Sequence, residues 1–119
     1  MSSGAKYSIR FSREFTKAFK ALAKRHRSLK EDFKEFSEAL KENPFQGTEL
    51  SPGIRKIRKA ISSKGKRKSG GARVITFTVL ATEEPGIIYM LDIYDKSDYD
   101  TADINVLKAW VAAIGKEEL

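Results

Sequence analysis

The longest strand signal in the chain lies in residues 73–96, which read RVITFTVLATEEPGIIYMLDIYDK. Residues 73–81 and 87–96 are rich in β-branched and aromatic side chains, a composition typical of strands. Residues 83–86 between them end in Pro-Gly, a strong turn signal. We therefore predict an antiparallel strand hairpin at this point.

The predicted sheet extends from this hairpin toward the N-terminus. Residues 54–61 have the pattern of a strand, and residues 62–72 connect them to the hairpin. This connection is long and contains three glycines and four basic residues, so we expect a loop that becomes ordered when something binds to it. Residues 7–11 alternate between apolar and polar side chains, which predicts a further, half-buried strand.

Three segments have the apolar spacing of amphipathic helices. Ser12 is placed to cap the first helix, and Ser28 with Glu31 forms a capping-box pattern for the second, which ends at the Asn-Pro pair of residues 43–44. A last helix begins near Thr101. The apolar stripes consist of Phe15, Phe19 and Leu22 in the first helix, Leu29, Phe33, Phe36 and Leu40 in the second, and Ile104, Leu107, Val111 and Ile114 in the last.

The predicted order of elements is β-α-α-β-β-β-α. It indicates an α+β fold in which an antiparallel sheet is covered on one face by a helical hairpin and a C-terminal helix. The 119 residues suit one domain over positions 1–119, of which we expect residues 1–6 to be flexible.

The net charge of +7 is unevenly distributed. Residues 53–73 contain nine basic and no acidic side chains, whereas residues 74–119 contain three basic and nine acidic ones. A segment with this concentration of positive charge is expected to contact phosphate or another anionic surface. The alternative is a solvated segment that only keeps the protein soluble.

Several classes of protein are disfavoured by composition. The chain has no cysteine, which excludes disulfides and thiolate chemistry, and it lacks an apolar run that predicts a membrane helix or a signal peptide. We therefore expect a cytoplasmic protein with no membrane partner. His26 is interpreted as a surface residue. The acidic residues Asp92, Asp95, Asp98, Asp100 and Asp103 have the spacing of no calcium loop, so we expect them to cap the last helix and balance cations, with no metal and no cofactor.

The strand pattern brings basic residues together. Lys56 and Arg58 are two residues apart and share a face of their strand, and Arg73 opens the neighbouring strand. Tyr94 and Lys96 share a face of the next. Guanidinium groups on an open sheet face hold phosphate oxygens and stabilise developing negative charge, and a lysine among other cations is suited to act as a general base. The alternative is that these are ordinary solvent-facing strand residues.

The sequence resembles a known family in three stretches that follow the helical hairpin. These are residues 53–58 (GIRKIR), 68–75 (KSGGARVI) and 88–97 (IYMLDIYDKS). In this order and spacing they are similar to the RelE/ParE superfamily of type II toxins, and the basic glycine-rich loop with the Tyr-Asp-Lys-Ser ending is closest to the HigB-like branch. The resemblance extends over residues 7–114.

The resemblance implies a metal-independent endoribonuclease that cleaves mRNA in the ribosomal A site and inhibits translation. It also implies a cognate antitoxin, the ribosome and mRNA as partners. The implied catalytic residues are Lys56, Arg58, Arg73, Tyr94 and Lys96. The implied RNA-binding residues are Arg55, Lys59, Lys64, Lys66, Arg67, Lys68 and Tyr99.

Some roles within this set stay open. The general base is Lys56 or a loop lysine such as Lys66 or Lys68, and the aromatic ring that stacks on an RNA base is that of Tyr94 or Tyr99. The leading alternative function is a ParE-like toxin that inhibits DNA gyrase by binding, without catalysis. A third possibility is a basic RNA-binding domain. The density of cations in residues 64–73 favours the ribosomal partner.

Overall fold

The computed structural model describes residues 7–62, 71–80, 85–98 and 103–118. In these residues it contains three helices and a mixed sheet of five strands. The elements are, in chain order, β1 (Ser8–Phe11), α1 (Arg13–Arg25), α2 (Leu29–Glu42), β2 (Thr48–Ser51), β3 (Ile54–Lys59), β4 (Ala72–Val79), β5 (Ile87–Asp95) and α3 (Ile104–Glu118). No helix within these ranges is both long enough and apolar enough to cross a membrane.

The sheet has the strand order β1-β5-β4-β3-β2. The predicted strand hairpin is confirmed, because β4 and β5 are antiparallel neighbours with Val79 opposite Ile87. The prediction of a wholly antiparallel sheet is wrong, since β1 runs parallel to β5 with Ile9 opposite Ile88. A parallel pair needs a long crossover between its strands, and here the two helices and three further strands provide it.

The short strand β2 was not predicted from the sequence. It pairs with β3 at the edge of the sheet and is interrupted by an irregularity between Glu49 and Ser51. Its four residues are half-buried or exposed, so they lack the apolar alternation that identifies a buried strand. Gly53 has φ +81°, and it forms the turn into β3 in a conformation that favours glycine.

The helical hairpin largely follows its sequence signals. The Ser12 hydroxyl oxygen accepts a hydrogen bond from the Phe15 N–H at 2.9 Å, which confirms the first cap, and Asn43 is the C-cap of α2. The capping box at Ser28 is wrong. The Ser28 hydroxyl instead donates to the Asp32 carboxylate at 2.7 Å, because that buried carboxylate requires donors.

Two apolar cores lie on opposite faces of the sheet. The helical-hairpin face includes Phe15, Leu29 and Phe33 with Val74 and Met90, and the α3 face includes Leu107 with Ile54, Ile75, Leu91 and Tyr94. The helices therefore cover both faces, and the prediction that they cover one face is wrong. Strands β4 and β5 are buried on both sides, so each face needs its own helical layer.

Asp32 joins the helical hairpin to the end of β3. Its carboxylate accepts hydrogen bonds from the Ser62 N–H at 2.8 Å and the Ser62 hydroxyl at 2.7 Å, in addition to that of Ser28. Burial alone would raise the pKa of Asp32, but the hydrogen bonds from Ser62 and Ser28 and the charge of Lys59 lower that pKa below its usual value. The ionised carboxylate is therefore the form that stabilises the fold.

We expect Asp32→Asn to lower the free energy of unfolding by about 2 kcal/mol at neutral pH, because the ionised acceptor is lost. A carboxyl group with a lowered pKa stabilises the fold above its unfolded-state pKa of about 3.9, and this contribution disappears as the pH falls through the folded-state value. The difference between the two proteins should therefore shrink in acid. Urea denaturation at neutral and acidic pH measures it, with the exposed neighbour substitution Glu31→Gln as control. A difference that does not change with pH would contradict the prediction.

Candidate functional site

Strands β3, β4 and β5 bring four of the five predicted catalytic residues together on one face. Arg58 lies opposite Arg73, and Arg73 lies opposite Tyr94. Lys56 lies two residues before Arg58 and therefore on the same face. Ile54 and Ile75 lie on the same side of their strands as these residues and belong to the α3-side core. These four predicted catalytic residues therefore lie on the α3 face. We refer to Lys56, Arg58, Arg73 and Tyr94 as the basic row.

The basic row is only partly accessible. Arg58 is exposed and Lys56 is half-buried, whereas Arg73 and Tyr94 are 7% and 5% exposed. Tyr94 belongs to the same core as Leu107 of α3, so its ring is packed beneath that helix. The expectation of an open sheet face is therefore wrong on the β5 side. In this conformation the Tyr94 ring is not presented to stack on an RNA base.

Arg73 and Tyr94 are electrostatically linked. Burial raises the pKa of the Tyr94 hydroxyl, the positive charge of Arg73 lowers it in part, and the negative charge of Asp92 raises it. The Arg73 guanidinium also donates a long hydrogen bond of 3.4 Å to the carbonyl oxygen of Ala72. Tyr94 is consequently a protonated phenol at neutral pH beside a buried cation.

Asp92 is a member of this face that the sequence interpretation missed. It lies opposite Ile75, which in turn lies opposite Lys56. Asp92 is therefore on the same face as the basic row, two residues before Tyr94. Burial raises the pKa of Asp92. The hydrogen bond that its carboxylate accepts from the Ile93 N–H at 2.8 Å lowers this pKa in part, and the negative charge of Glu14 raises it. Its position between two apolar residues of a buried strand was the signal that could have identified it.

Two predicted RNA-binding residues lie away from the basic row. Arg55 and Lys59 alternate with Lys56 and Arg58 and therefore lie on the helical-hairpin face. The Arg55 guanidinium donates to the carbonyl oxygens of Gln46 at 2.8 Å and Gly47 at 3.3 Å, so it holds the turn before β2. Arg55 thus has a structural role in this conformation.

The remaining predicted residues lie near the end of β5 or outside the described ranges. Lys96 follows β5 and is half-buried, and its N–H donates to the Gly71 carbonyl oxygen at 3.0 Å, which places it beyond Tyr94 at the end of the sheet. The residues outside the described ranges are Lys64, Lys66, Arg67, Lys68 and Tyr99.

His26 is not the surface residue that the sequence indicated. Its side chain is 14% exposed, and its Nε2 lies 2.9 Å from the Oδ2 atom of Asp95, which is 1% exposed. The other oxygen of Asp95 accepts hydrogen bonds from the Ser97 N–H and hydroxyl at 2.9 and 2.7 Å. This pair lies on the helical-hairpin face, because Asp95 alternates with Tyr94, and it joins the end of α1 to the end of β5.

Two residues of the acidic tract, Asp103 and Asp98, have the capping and charge-balancing roles that the sequence predicted. The Asp103 carboxylate accepts a hydrogen bond from the Asn105 N–H at 2.9 Å at the start of α3, and Asp98 binds Arg25 at 2.7 Å. Asp100 lies outside the described residues. In the ranges that the structure describes, no three His, Asp or Glu side chains are grouped as metal ligands.

The chain matches none of the protein-family models with which it was compared. The geometry of the basic row is therefore the main basis for assigning a function.

Proposed function

We propose that this protein is the toxin of a type II toxin–antitoxin pair, of the RelE/ParE kind, and that it cleaves mRNA on the ribosome. The observation that carries the proposal is the alignment of Arg58, Arg73 and Tyr94 on three neighbouring strands, with Lys56 on the same face. The α+β fold, with a helical hairpin between β1 and the other four strands, supports the proposal at the level of fold class.

The basic row is suited to hold a phosphodiester. An exposed guanidinium at Arg58 contacts a phosphate that arrives from solvent, and the buried guanidinium at Arg73 next to it adds fixed positive charge where water is excluded. Charge that develops on the phosphate oxygens in the transition state is stabilised most strongly by such pre-positioned donors. The row therefore favours phosphoryl chemistry over simple binding.

The proposed reaction needs no group beyond the RNA and the protein. The ribose 2′-oxygen attacks the adjacent phosphorus while a base removes its proton, the bond from phosphorus to the 5′-oxygen breaks, and the departing oxygen takes up a proton. The products are a cyclic phosphate and a 5′-hydroxyl. Lys56, Lys66 and Lys68 are the candidates for the base, and Lys96 is placed near the end of the row as a candidate for the acid.

The proposal includes the partners that such a toxin requires. These are the ribosome with its mRNA and an antitoxin that neutralises the toxin. Residues 53–73, with nine basic and no acidic side chains, provide the charge expected of a surface that meets ribosomal RNA.

The test is cleavage of mRNA on purified translating ribosomes by the parent chain and by Arg58→Ala. Because Arg58 is exposed, its removal should leave the fold unchanged while reducing cleavage about a hundredfold through the loss of one phosphate ligand. Arg27→Ala also removes an exposed arginine, from the turn between α1 and α2, and should have no effect. New 5′-hydroxyl ends within reading frames are the product to be counted.

Expression in cells separates the proposal from its alternative. Growth arrest with new 5′-hydroxyl ends supports the ribosome-dependent nuclease. Arrest with intact mRNA and trapped gyrase–DNA breaks would refute it in favour of a gyrase inhibitor. Full cleavage by Arg58→Ala would show that the basic row is not the site of RNA cleavage.

A further inference from the structure

An open aromatic groove lies between the two helices of the helical hairpin, next to Phe11 at the end of β1. Its floor is formed by Phe11, Phe15, Phe19 and Phe33, and the groove has a volume of about 630 Å³. The rings of Phe15 and Phe33 are 5.4 Å apart and those of Phe19 and Phe33 are 5.2 Å apart, so the floor is one continuous aromatic cluster. Phe11 is 53% exposed. Phe15 and Phe33 are almost completely buried, so Phe11 and the half-buried Phe19 supply the apolar surface that a partner can reach.

The rim of the groove is positively charged. Lys20 and Lys24 of α1 lie on one side and Lys30 of α2 lies on the other. Aspartate and glutamate do not occur among the residues that the structure describes as lining it. A second depression of about 430 Å³ shares Phe11 and continues along β1 past Tyr7 and Ile9, with a lining that is both polar and apolar. The groove thus combines an apolar floor with a cationic rim.

We propose that this groove binds an acidic amphipathic helix of a partner protein. The apolar face of that helix would lie on the phenylalanine floor, and its carboxylates would pair with Lys20, Lys24 and Lys30. Grooves between packed helices accept a further helix through interdigitation of side-chain ridges. Lys20 and Lys24 are one helical turn apart, which matches acidic residues at the same spacing on a helix that runs alongside.

The charge of the rim argues against a second copy of the chain, and the shape of the groove argues against a membrane. A second copy of this chain would place the same lysines opposite one another, which is unfavourable. A membrane surface takes up side chains that project, whereas Phe15 and Phe33 are buried in the floor of a concave groove. The groove lies on the helical-hairpin face and the basic row on the α3 face, so the inference does not depend on the proposed nuclease.

The probe is a synthetic helical peptide of about 20 residues with leucine on one face and glutamate and alanine on the other. We expect fluorescence anisotropy to show binding to the intact chain, and NMR amide shifts to change at Thr16, Lys20, Ala23 and Lys24. A scrambled peptide, in which the leucines share no face, should bind at least about tenfold more weakly because it cannot cover the floor. Binding of both peptides with equal affinity would overturn the proposal.

Matched variants test the rim and the floor. Lys24→Glu should weaken peptide binding about tenfold, while Lys108→Glu, which makes the same change on an exposed lysine of α3, should leave it unchanged. Phe11→Ala should weaken binding similarly, with circular dichroism as the check that the chain is folded. Equal effects of Lys24→Glu and Lys108→Glu, or shift changes at Arg58 and not in the groove, would overturn the proposal. So would dimers of the chain that occupy the groove, or binding to phosphatidylglycerol vesicles in place of the peptide.

Discussion

Arg73→Ala is expected to reduce RNA cleavage about a thousandfold, the largest effect of any substitution in the basic row. Arg73 is the central residue of the row, between Arg58 and Tyr94, and it is almost completely buried. A cation that is shielded from water stabilises charge on a bound phosphate more strongly than an exposed one does. Single-turnover cleavage on stalled ribosomes measures the effect.

Arg73→Lys separates charge from geometry. It keeps the positive charge but loses the planar fork that binds two phosphate oxygens, so we expect it to remain at least about a hundredfold impaired. Because Arg73 is buried, the free energy of unfolding of both variants must be measured alongside. Near-normal cleavage by folded Arg73→Lys would mean that a point charge is sufficient, and near-normal cleavage by folded Arg73→Ala would contradict a catalytic role.

The same variants have a readout that does not require the proposed activity. Since Arg73 lowers the pKa of Tyr94 against the effect of burial, Arg73→Ala should raise that pKa further, and Arg73→Lys should raise it less. Ultraviolet absorbance of tyrosinate, compared with Tyr94→Phe to isolate one of the four tyrosines, follows the titration. An unchanged Tyr94 titration in Arg73→Ala would show that the two side chains are not neighbours in solution.

Asp95→Ala is expected to cause the largest loss of stability, about 3 kcal/mol in the free energy of unfolding. Asp95 is 1% exposed and accepts hydrogen bonds from His26, the Ser97 N–H and the Ser97 hydroxyl. Removal of the carboxylate leaves the largely buried His26 side chain without its partner, and breaks the link between the end of α1 and the exposed Ser97. Thermal unfolding should show a fall in Tm of about 10 °C for a domain of this size.

Asp98→Ala is the matched control for this prediction. Asp98 also binds Arg25, but its side chain is 38% exposed, so water replaces the lost contact and the effect should be far smaller. Equal losses from Asp95→Ala and Asp98→Ala would show that the buried pair with His26 contributes nothing beyond the surface charges. Cleavage by folded Asp95→Ala should be close to normal, because Asp95 lies on the face opposite the basic row.

The two faces of the sheet have separate tasks in these proposals. The α3 face carries the basic row, and the helical-hairpin face carries the aromatic groove and the Asp95–His26 pair. Because the five strands lie between them, a partner in the groove and an RNA at the basic row need not compete for the same surface. The groove variants and the row variants are therefore expected to act independently of each other.

The sequence by itself determined most of the local structure, and it predicted that the residues of the basic row lie on neighbouring strands. Helix spacing identified the buried faces of α1 and α2, Ser12 identified a cap, and strand alternation placed Lys56 and Arg58 on one side. These features depend on residues close together in the chain, so periodicity and capping chemistry are sufficient to predict them.

Only the tertiary structure decided which groups are accessible and which are paired. Position alone marked His26 as a surface residue, but a carboxylate 69 residues away holds it in place. Arg73 and Tyr94 are buried because β4 and β5 lie inside the sheet and α3 covers their face. Strand β1 lies at the edge of the sheet and pairs in parallel with β5, the last of the five strands. The physical reason is that burial and hydrogen-bond partners are set by contacts between distant segments, which local sequence patterns do not encode.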